Sequence, residues 1–220
     1  MTSNRKHMSE PLHRGRELTP NHLAKRHLLV KAAQTVLRRD GIKGCTSRAI
    51  AQEGGFNNGL IHYYFETVDA IVDAAIWEMV DDIVGRIRAA AEGRGDPAER
   101  FWSVVEAHLD AFESPPGQIV VWMDYWVDAV RTGRAEIISR IDDAVVKALA
   151  DALKAADVPQ PKTRARAICA YVTGAAIRRQ VRRQTRAELR AEIFTMSGGI
   201  AISALPLRPP SPAPGASAKS

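Results

Sequence analysis

The sequence predicts an all-α protein with a three-helix head followed by a larger helical domain. Apolar residues recur at helical spacing over most of the 220 residues, and clusters of glycine and proline interrupt that spacing at intervals. No stretch of the sequence has the character of a strand, and no internal repeat is present. The length exceeds the commonest size of one domain, so one large domain or two smaller ones are expected.

The first helix is predicted to begin at Thr19 and Pro20, which suit the N-cap and the first helical position. Its apolar residues follow at helical spacing, and they are Leu23, Val30, Ala33 and Leu37. Gly41 is expected to end this helix. Residues 1–18 are polar and basic without periodicity, and they are predicted to be a disordered basic arm. The arm either lies along a DNA groove or is a solvated tail.

Two short helices joined by a tight turn are predicted between Thr46 and Phe65. Thr46 suits the N-cap of the first helix, and Asn57 suits the N-cap of the second. Gly54-Gly55 lies between them, and glycine accepts the left-handed conformation that such a turn requires. The second helix buries one face in the head and leaves Asn, His and Tyr side chains outward. A helix-turn-helix offers a surface of this kind to the major groove of DNA.

At these residues the sequence resembles the TetR family of bacterial repressors. The family pattern of Thr-x-Arg-x-Ile-Ala, a short turn and Gly-x-x-Tyr-x-Tyr-Phe corresponds to TSRAIA at 46–51, GGFN at 54–57 and GLIHYYF at 59–65. The chain departs from the pattern at Phe56, Asn57, His62 and Val68. The resemblance implies a DNA-binding regulator, and the departures leave the operator sequence open.

The candidate DNA-binding residues fall into two groups. The base-reading surface is predicted to comprise Asn57, Asn58, Leu60, His62 and Tyr63. The phosphate-contacting residues are predicted to be Lys25, Arg26, Thr46 and Arg48, and Thr67 is a further candidate for DNA binding. Side chains of the first group can reach base edges, whereas basic and hydroxyl groups of the second suit phosphate oxygens.

The charge of the chain supports the same assignment. Residues 1–66 contain 11 Lys and Arg against 5 Asp and Glu, a net charge of +6. Residues 67–220 contain 20 of each, a net charge of zero. The whole basic excess therefore lies in the part that contains the helix-turn-helix, as expected for a domain that contacts a phosphate backbone.

The domain that follows is predicted to contain six helices. Their ranges are 67–92, 98–112, 118–132, 134–156, 163–184 and 187–204. The first of them begins beside the head and links the two domains. The domain boundaries are therefore placed as a head over 19–66, a ligand-binding and dimerisation domain over 67–205, and a disordered tail rich in proline and serine over 206–220.

Aromatic residues of this second domain indicate a ligand cavity. Trp122, Tyr125 and Trp126 have i, i+3, i+4 spacing and share one helical stripe, while Trp102 and Tyr171 are further candidates for the wall. Such rings can enclose a quaternary ammonium group, although each ring taken singly is also an ordinary packing residue. Asp128 either adds a counter-charge or pairs with Arg131. The segment VWMDYW resembles the C-terminal domain of the BetI type within the TetR family, which implies a choline-like inducer.

An arginine stripe offers a competing interpretation. Its members are Arg179, Arg183, Arg186 and Arg190, and they share a face if their helix runs through or nearly so. Residues 67–157 contain 9 basic against 18 acidic side chains, so the stripe can pair with the acidic middle of its own chain or of a dimer mate. It can also be a solvated helix end, or a contact for an anionic effector such as a carboxylate or an acyl-coenzyme A.

No catalytic, metal or cofactor site is predicted. His108 is the only histidine outside the head and arm, and its acidic neighbours Glu106 and Asp110 point away from it on a helix. Cys45 and Cys169 have no zinc or disulfide spacing, no apolar run is long enough to span a membrane, and a cytoplasmic protein is expected. These features disfavour an enzyme, and the aromatic second domain disfavours a ligand-independent DNA-binding protein.

The sequence therefore predicts a homodimeric repressor that binds a palindromic operator on double-stranded DNA and is released by a small-molecule inducer. One three-helix head reads only a few base pairs, and two heads about 34–36 Å apart multiply the specificity. The last two helices carry a small-residue face of Ala167, Ala170, Val172, Gly174, Ala175 and Ala176. That these helices form the four-helix bundle of a dimer is what the resemblance implies.

Overall fold

The computed structural model describes residues 19–113, 118–133 and 136–199, and this part of the chain contains helices and no strand. The helices are α1 (Pro20–Gly44), α2 (Ser47–Gly54), α3 (Asn58–Tyr64), α4 (Val68–Ala91), α5 (Pro97–Glu113), α6 (Gln118–Thr132), α7 (Glu136–Ala155), α8 (Pro161–Arg178) and α9 (Arg186–Ser197). The predicted all-α class is confirmed. The predicted arm over 1–18 and tail over 206–220 lie outside the described residues.

The head consists of α1, α2 and α3, and its helices begin where the capping residues predict. The hydroxyl of Thr46 accepts a hydrogen bond from the amide of Ala49, and the side chain of Asn57 accepts one from Gly59. Gly55 ends α2 in the left-handed conformation with φ 67°. The buried residues at the centre of the head are Leu29, Val30, Val36, Leu37, Ile50, Ile61 and Phe65.

The helix α4 joins the head to the rest of the molecule. Thr67 caps it through a hydrogen bond from the amide of Ala70, and its 24 residues extend over about 36 Å at 1.5 Å per residue. Gln34 of α1 is buried and donates a hydrogen bond of 3.2 Å to the carbonyl of Ala75. Lys31 lies 3.4 Å from Glu78. The head is therefore held on α4 by polar contacts as well as by the apolar core.

The helix α6 makes a second connection between the head and the body. It packs against α1 and α5, and the Arg38 guanidinium donates to Gln118 at 3.3 Å. Gly41 has a φ of +70° inside α1, and a side-chain carbon there would lie 2.5 Å from a carboxylate oxygen of Asp124. The helical backbone is therefore interrupted at Gly41, where the sequence predicts the end of the helix, and it resumes over the three residues up to Gly44.

The body is built on α7, which packs against α4, α5 and α8, while α9 packs on α8. The predicted helix over 163–184 ends early at Arg178, and residues 179–184 form a non-helical connection that begins with a turn. Thr185 then starts α9 with a capping box to Glu188, and Gly198 in the left-handed conformation follows its end at Ser197. The arginine stripe predicted for a continuous helix is therefore interrupted. Within the described ranges, no helix is long and apolar enough to cross a membrane.

Candidate nucleic-acid interface and effector cavity

The helix α3 presents most of the predicted base-reading residues to solvent. Asn57, Asn58, His62 and Tyr63 are exposed, and 53% of the Tyr63 surface is accessible. Leu60 is half-buried against the core of the head, so it is less available to DNA than the sequence predicts. The exposed set forms a polar and aromatic face that can donate and accept hydrogen bonds.

An aromatic cluster beside this face includes a residue that the sequence analysis did not select. The hydroxyl of Tyr63 lies 3.3 Å from Nε2 of His22 in the first turn of α1. The ring of Tyr64 is 5.6 Å from that of His22 and 5.0 Å from that of Tyr63. These contacts orient Tyr63 from two sides. No local sequence signal links His22 to α3, because 41 residues separate His22 from Tyr63.

The predicted phosphate-contacting residues differ in their exposure to solvent and in their contacts within the chain. Lys25 and Arg48 are exposed. The guanidinium of Arg26 lies 4.8 Å from the centre of the Phe65 ring, and burial lowers the pKa of Arg26 although Glu78 acts in the opposite direction. The hydroxyls of Thr46 and Thr67 cap α2 and α4. Lys25 and Arg48 are therefore the most accessible cations of the predicted set.

A cavity of about 660 Å³ lies among α5, α6, α7 and α8. Its lining residues are His108, Phe112, Trp122, Met123, Trp126, Ile138, Ile141, Asp142, Asp143, Val146, Lys162, Arg166, Cys169, Ala170, Thr173, Gly174 and Ile177. Most of these side chains are apolar. The volume lies within the range of about 300–1,000 Å³ that is common for small-molecule sites.

The structure brings only part of the predicted aromatic set to this cavity. Trp122 and Trp126 line it, and Trp126 is 41% exposed. Trp102, Tyr125 and Tyr171 are not among its lining residues. Tyr125 shares a helical stripe with the two tryptophans, but it is 2% exposed and belongs to the core.

Trp102 and Tyr171 have other neighbours within the chain. The guanidinium of Arg190 lies 4.9 Å from the centre of the buried Trp102 ring. Gln184 donates a hydrogen bond of 3.2 Å to the hydroxyl of Tyr171. Trp102 therefore already holds a cation supplied by the protein, which is the interaction that the sequence interpretation reserved for a ligand.

His108 is the one polar side chain of the cavity wall that is fully buried. It is 1% exposed, and neither of its ring nitrogens has a hydrogen-bond partner in the part of the chain that the structure describes. Its ring lies 5.4 Å from that of Phe112. Burial lowers the pKa of His108 to about 4, so the ring is neutral at neutral pH. The sequence marks His108 only as a catalytic candidate, and no sequence signal places it at the ligand site.

Cys169 and Asp142 contact each other at the cavity wall. The thiol of Cys169 lies 3.8 Å from a carboxylate oxygen of Asp142, and burial raises the pKa of Cys169 to about 12. Burial also raises the pKa of Asp142, the thiol acts to lower it, and Asp143 acts to raise it. The cysteine is therefore a neutral thiol and not a nucleophile.

Three of the four arginines in the predicted stripe, Arg179, Arg186 and Arg190, pair with acidic residues of the same chain. The Arg186 guanidinium lies 2.7 Å from carboxylates of Glu106, Asp110 and Glu113. Arg190 lies 3.1 Å from Glu106, and Arg179 pairs with Glu113. For these three arginines the contacts confirm the alternative in which the stripe pairs with the acidic middle of its own chain, whereas Arg183 is exposed. They join the start of α9 and the turn before it to α5.

A second cavity, of about 620 Å³, lies among α4, α5 and α7. Its charged lining residues are Arg88, Glu92, Arg100, Arg140, Asp143, Lys147 and Asp151. Arg140 pairs with Asp81 at 2.9 Å and lies over the ring of Trp77, and Lys147 pairs with Asp151. Four basic and three acidic side chains line this space, so its excess charge is only one unit and does not strongly select an anion or a cation.

Comparisons with curated proteins find HTH-type regulators of transcription. No protein-family profile matches the chain. The HTH-type transcriptional regulator BetI of Paraburkholderia xenovorans (strain LB400) is 26% identical over 109 residues, which are 48% of this chain and 55% of that protein. The HTH-type transcriptional repressor KstR2 of Mycolicibacterium smegmatis is 26% identical over 107 residues, 48% of this chain and 52% of that protein. The chain thus spans about half the length of the curated relatives it matches.

Solved structures extend the likeness over the whole fold. A TetR transcription regulator from Haloarcula marismortui superposes with a TM-score of 0.68 at 20% identity and covers 81% of this chain and 97% of its own. A transcriptional regulator from Rhodococcus sp. RHA1 has a TM-score of 0.67 at 23% identity and covers 80% of this chain and 95% of its own. These relatives are named as regulators of transcription, which agrees with the prediction that the chain is not an enzyme.

Proposed function

We propose that this protein is a ligand-responsive transcriptional repressor. The chain shares the fold of TetR-family regulators and resembles HTH-type regulators in sequence. The observation that carries the proposal is the outward face of α3. Asn57, Asn58, His62 and Tyr63 are exposed on it. This face belongs to the part of the chain that carries the entire +6 charge.

The operator is proposed to be a palindrome that a homodimer reads. The helix α3 has only seven residues and extends over about 10 Å, so one head contacts few base pairs. Two heads bound about 34–36 Å apart read two half-sites on one side of the duplex. Lys25 and Arg48, which are exposed, are proposed to contact phosphates next to each half-site.

The inducer is proposed to bind the cavity of about 660 Å³ and to act through helices that contact both domains. Trp122, Met123 and Trp126 of α6 line that cavity, while Gln118 of the same helix contacts Arg38 of α1. A ligand that displaces α6, or α4 beside it, changes the position of the head. By linkage, the inducer weakens DNA binding only by as much as DNA weakens the binding of the inducer.

The test begins with operator selection from a pool of random DNA and continues with binding measured by fluorescence anisotropy. We expect one palindromic sequence, and an affinity that falls steeply with salt because phosphate contacts release counterions. The variant Asn58→Ala is expected to lose selectivity at one base position, and Lys154→Ala in the body is the control. Binding that shows no preference among sequences would contradict the proposal.

The charge of the inducer stays a prediction. A choline-like inducer is supported by Trp122 and Trp126, which line the cavity together with the acidic residues Asp142 and Asp143. An anionic inducer is supported by Lys162 and Arg166, which also line the cavity. Arg179, Arg186 and Arg190 do not add to this support, because they pair with carboxylates of the chain. Both signs of charge are therefore present at the cavity, and neither dominates.

A further inference from the structure

The wall of the cavity described above contains a polar side chain that has no hydrogen-bond partner among the described residues. His108 of α5 is 1% exposed, and both ring nitrogens lack a hydrogen-bond partner within the described ranges. Buried polar atoms in folded proteins are almost always hydrogen-bonded, and leaving one unpaired costs about 1–3 kcal/mol. An exception of this kind at the wall of a cavity points to a partner that the cavity admits.

The chemistry of that partner follows from the state of the ring. A neutral imidazole has one N–H that donates and one bare nitrogen that accepts, and either tautomer is open to it. A hydroxyl group pairs with the bare nitrogen, and a carbonyl oxygen pairs with the N–H. A cation gains no counter-charge from a neutral ring. An anion can accept a hydrogen bond from the N–H, but it gains no counter-charge, because burial lowers the pKa of the ring to about 4 and keeps the ring neutral.

The surroundings of His108 select the rest of the ligand. Phe112, whose ring lies 5.4 Å from His108, lines the cavity together with Trp122, Ile138 and Ile177. The charged lining residues include Lys162 and Arg166, which are exposed and remain hydrated. An apolar body is therefore favoured within the cavity, because removing a charge from water there costs more than any neutral hydrogen bond returns.

We propose that the cavity takes a neutral, mainly apolar molecule that carries a hydroxyl or carbonyl oxygen, and that this oxygen hydrogen-bonds to the ring of His108. The inference deepens the proposed function and rests on it for the role of the ligand as an inducer. The binding site itself stands on the cavity and on the unpaired ring, independently of any effect on DNA.

Four eight-carbon probes separate the ligand classes: 1-octanol, 2-octanone, octanoate and octyltrimethylammonium. Binding to the full chain is followed by the fluorescence of the tryptophans, two of which line the cavity, and by the shift in melting temperature. The variants are His108→Phe, which removes the polar atoms, and His108→Gln, which keeps a neutral donor and acceptor. His27→Gln is the matched control, because His27 is exposed on α1 beside Glu78.

We expect the wild type to bind octanol and octanone more tightly than octanoate and octyltrimethylammonium. His108→Phe should weaken octanol binding about tenfold, the size of one good hydrogen bond, while His108→Gln and His27→Gln stay within a few-fold of the wild type. The melting temperature of the unliganded His108→Phe variant shows whether this variant is folded. If it is not folded, the affinity of His108→Gln for octanol still tests the predicted hydrogen bond.

Three outcomes overturn the inference. In the first, the wild type binds octanoate or octyltrimethylammonium more tightly than octanol and octanone. In the second, the wild type and a folded His108→Phe variant bind octanol equally well. In the third, the wild type binds none of the four probes. A probe that binds in a His108-dependent way but leaves operator occupancy unchanged has a different meaning. It supports the site and refutes the ligand response in the proposed function.

Discussion

The ring of His108 carries a consequence for stability as well as for binding. Its pKa is lowered to about 4 in the folded chain by burial, against an ordinary value of 6.5. Between these two values the unfolded chain binds a proton that the folded chain does not, so the free energy of unfolding falls as the pH falls from 6.5 toward 4. Above pH 6.5 both states hold a neutral ring and the effect vanishes.

We therefore expect the wild type to lose about 2 kcal/mol of stability between pH 7 and pH 5 through this residue, because the folded ring stays neutral over that range while the unfolded ring gains a proton. His108→Phe should lack that part of the loss. Urea denaturation of both proteins at the two pH values measures the difference. Parallel losses in the two proteins would show that other groups control the acid sensitivity.

The exposed face of α3 gives a second prediction at this scale. Tyr63→Ala removes an exposed ring held by His22 and Tyr64, and we expect a loss of about 1–3 kcal/mol in operator affinity with relaxed selectivity. Lys25→Ala should instead weaken binding to all sequences alike and reduce the salt dependence, because it removes a phosphate contact. Anisotropy titrations at several salt concentrations distinguish the two patterns. Unchanged affinity in Tyr63→Ala would show that another surface reads the operator.

At the scale of elements, the head was predictable because its signals are local. Thr46, Gly55 and Asn57 specify their caps and turn within a few residues of one another, and the structure shows the same caps. The break between α8 and α9 was predicted at residues 185–186, but the end of α8 was placed at residue 184 instead of Arg178, since the arginines that follow Arg178 continue the helical spacing.

The ligand site was predictable only in part, because it depends on which helices meet. The i, i+3, i+4 spacing of Trp122, Tyr125 and Trp126 places them on one stripe, but it does not say which neighbour covers each ring. Tyr125 is buried in the core and the two tryptophans line the cavity. The arrival of His108 at the same cavity depends on the packing of α5 against α7 and α8, and no local pattern encodes that packing.

The contact between α5 and α9 provides a prediction about one element. Arg186 joins the first turn of α9 to Glu106, Asp110 and Glu113 of α5. Arg186→Ala leaves these three carboxylates close together without that cation. We expect a loss of about 1–2 kcal/mol in the free energy of unfolding, limited by the partial exposure of the group.

The matched control for this prediction is Arg182→Ala, since Arg182 is exposed in the turn before α9. Its loss should stay within about 0.5 kcal/mol, as for most surface substitutions. Thermal unfolding of both variants at low and high salt makes the comparison. Equal losses in the two proteins would mean that the network at Arg186 contributes no more than a solvated arginine.

For the whole molecule, the proposed dimer can be tested at an exposed apolar residue. Phe194 of α9 is 41% exposed in the single chain, and the resemblance to the TetR family assigns the last two helices to the dimer interface. The wild type should have twice the 24.1 kDa mass of one chain in light scattering. Phe194→Asp should shift this mass toward that of a monomer and weaken operator binding.

The control for the dimer is Val130→Asp on α6, because Val130 is 69% exposed and α6 packs mainly against α1 and α5. This variant should keep the mass and the operator affinity of the wild type. A monomeric wild type that still selects a palindrome would contradict the proposed arrangement, because each half-site would then be read independently.

The two buried cysteines can report local opening separately in each domain. Cys45 lies in the head and Cys169 at the cavity wall, and burial raises the pKa of both thiols to about 12. A covered, neutral thiol reacts with an alkylating reagent only while its surroundings are transiently open. Alkylation rates followed by mass spectrometry therefore time the breathing of the two domains separately. A ligand held in the cavity should slow the labelling of Cys169 first, and any change at Cys45 would measure how much of that rigidity reaches the DNA-binding head.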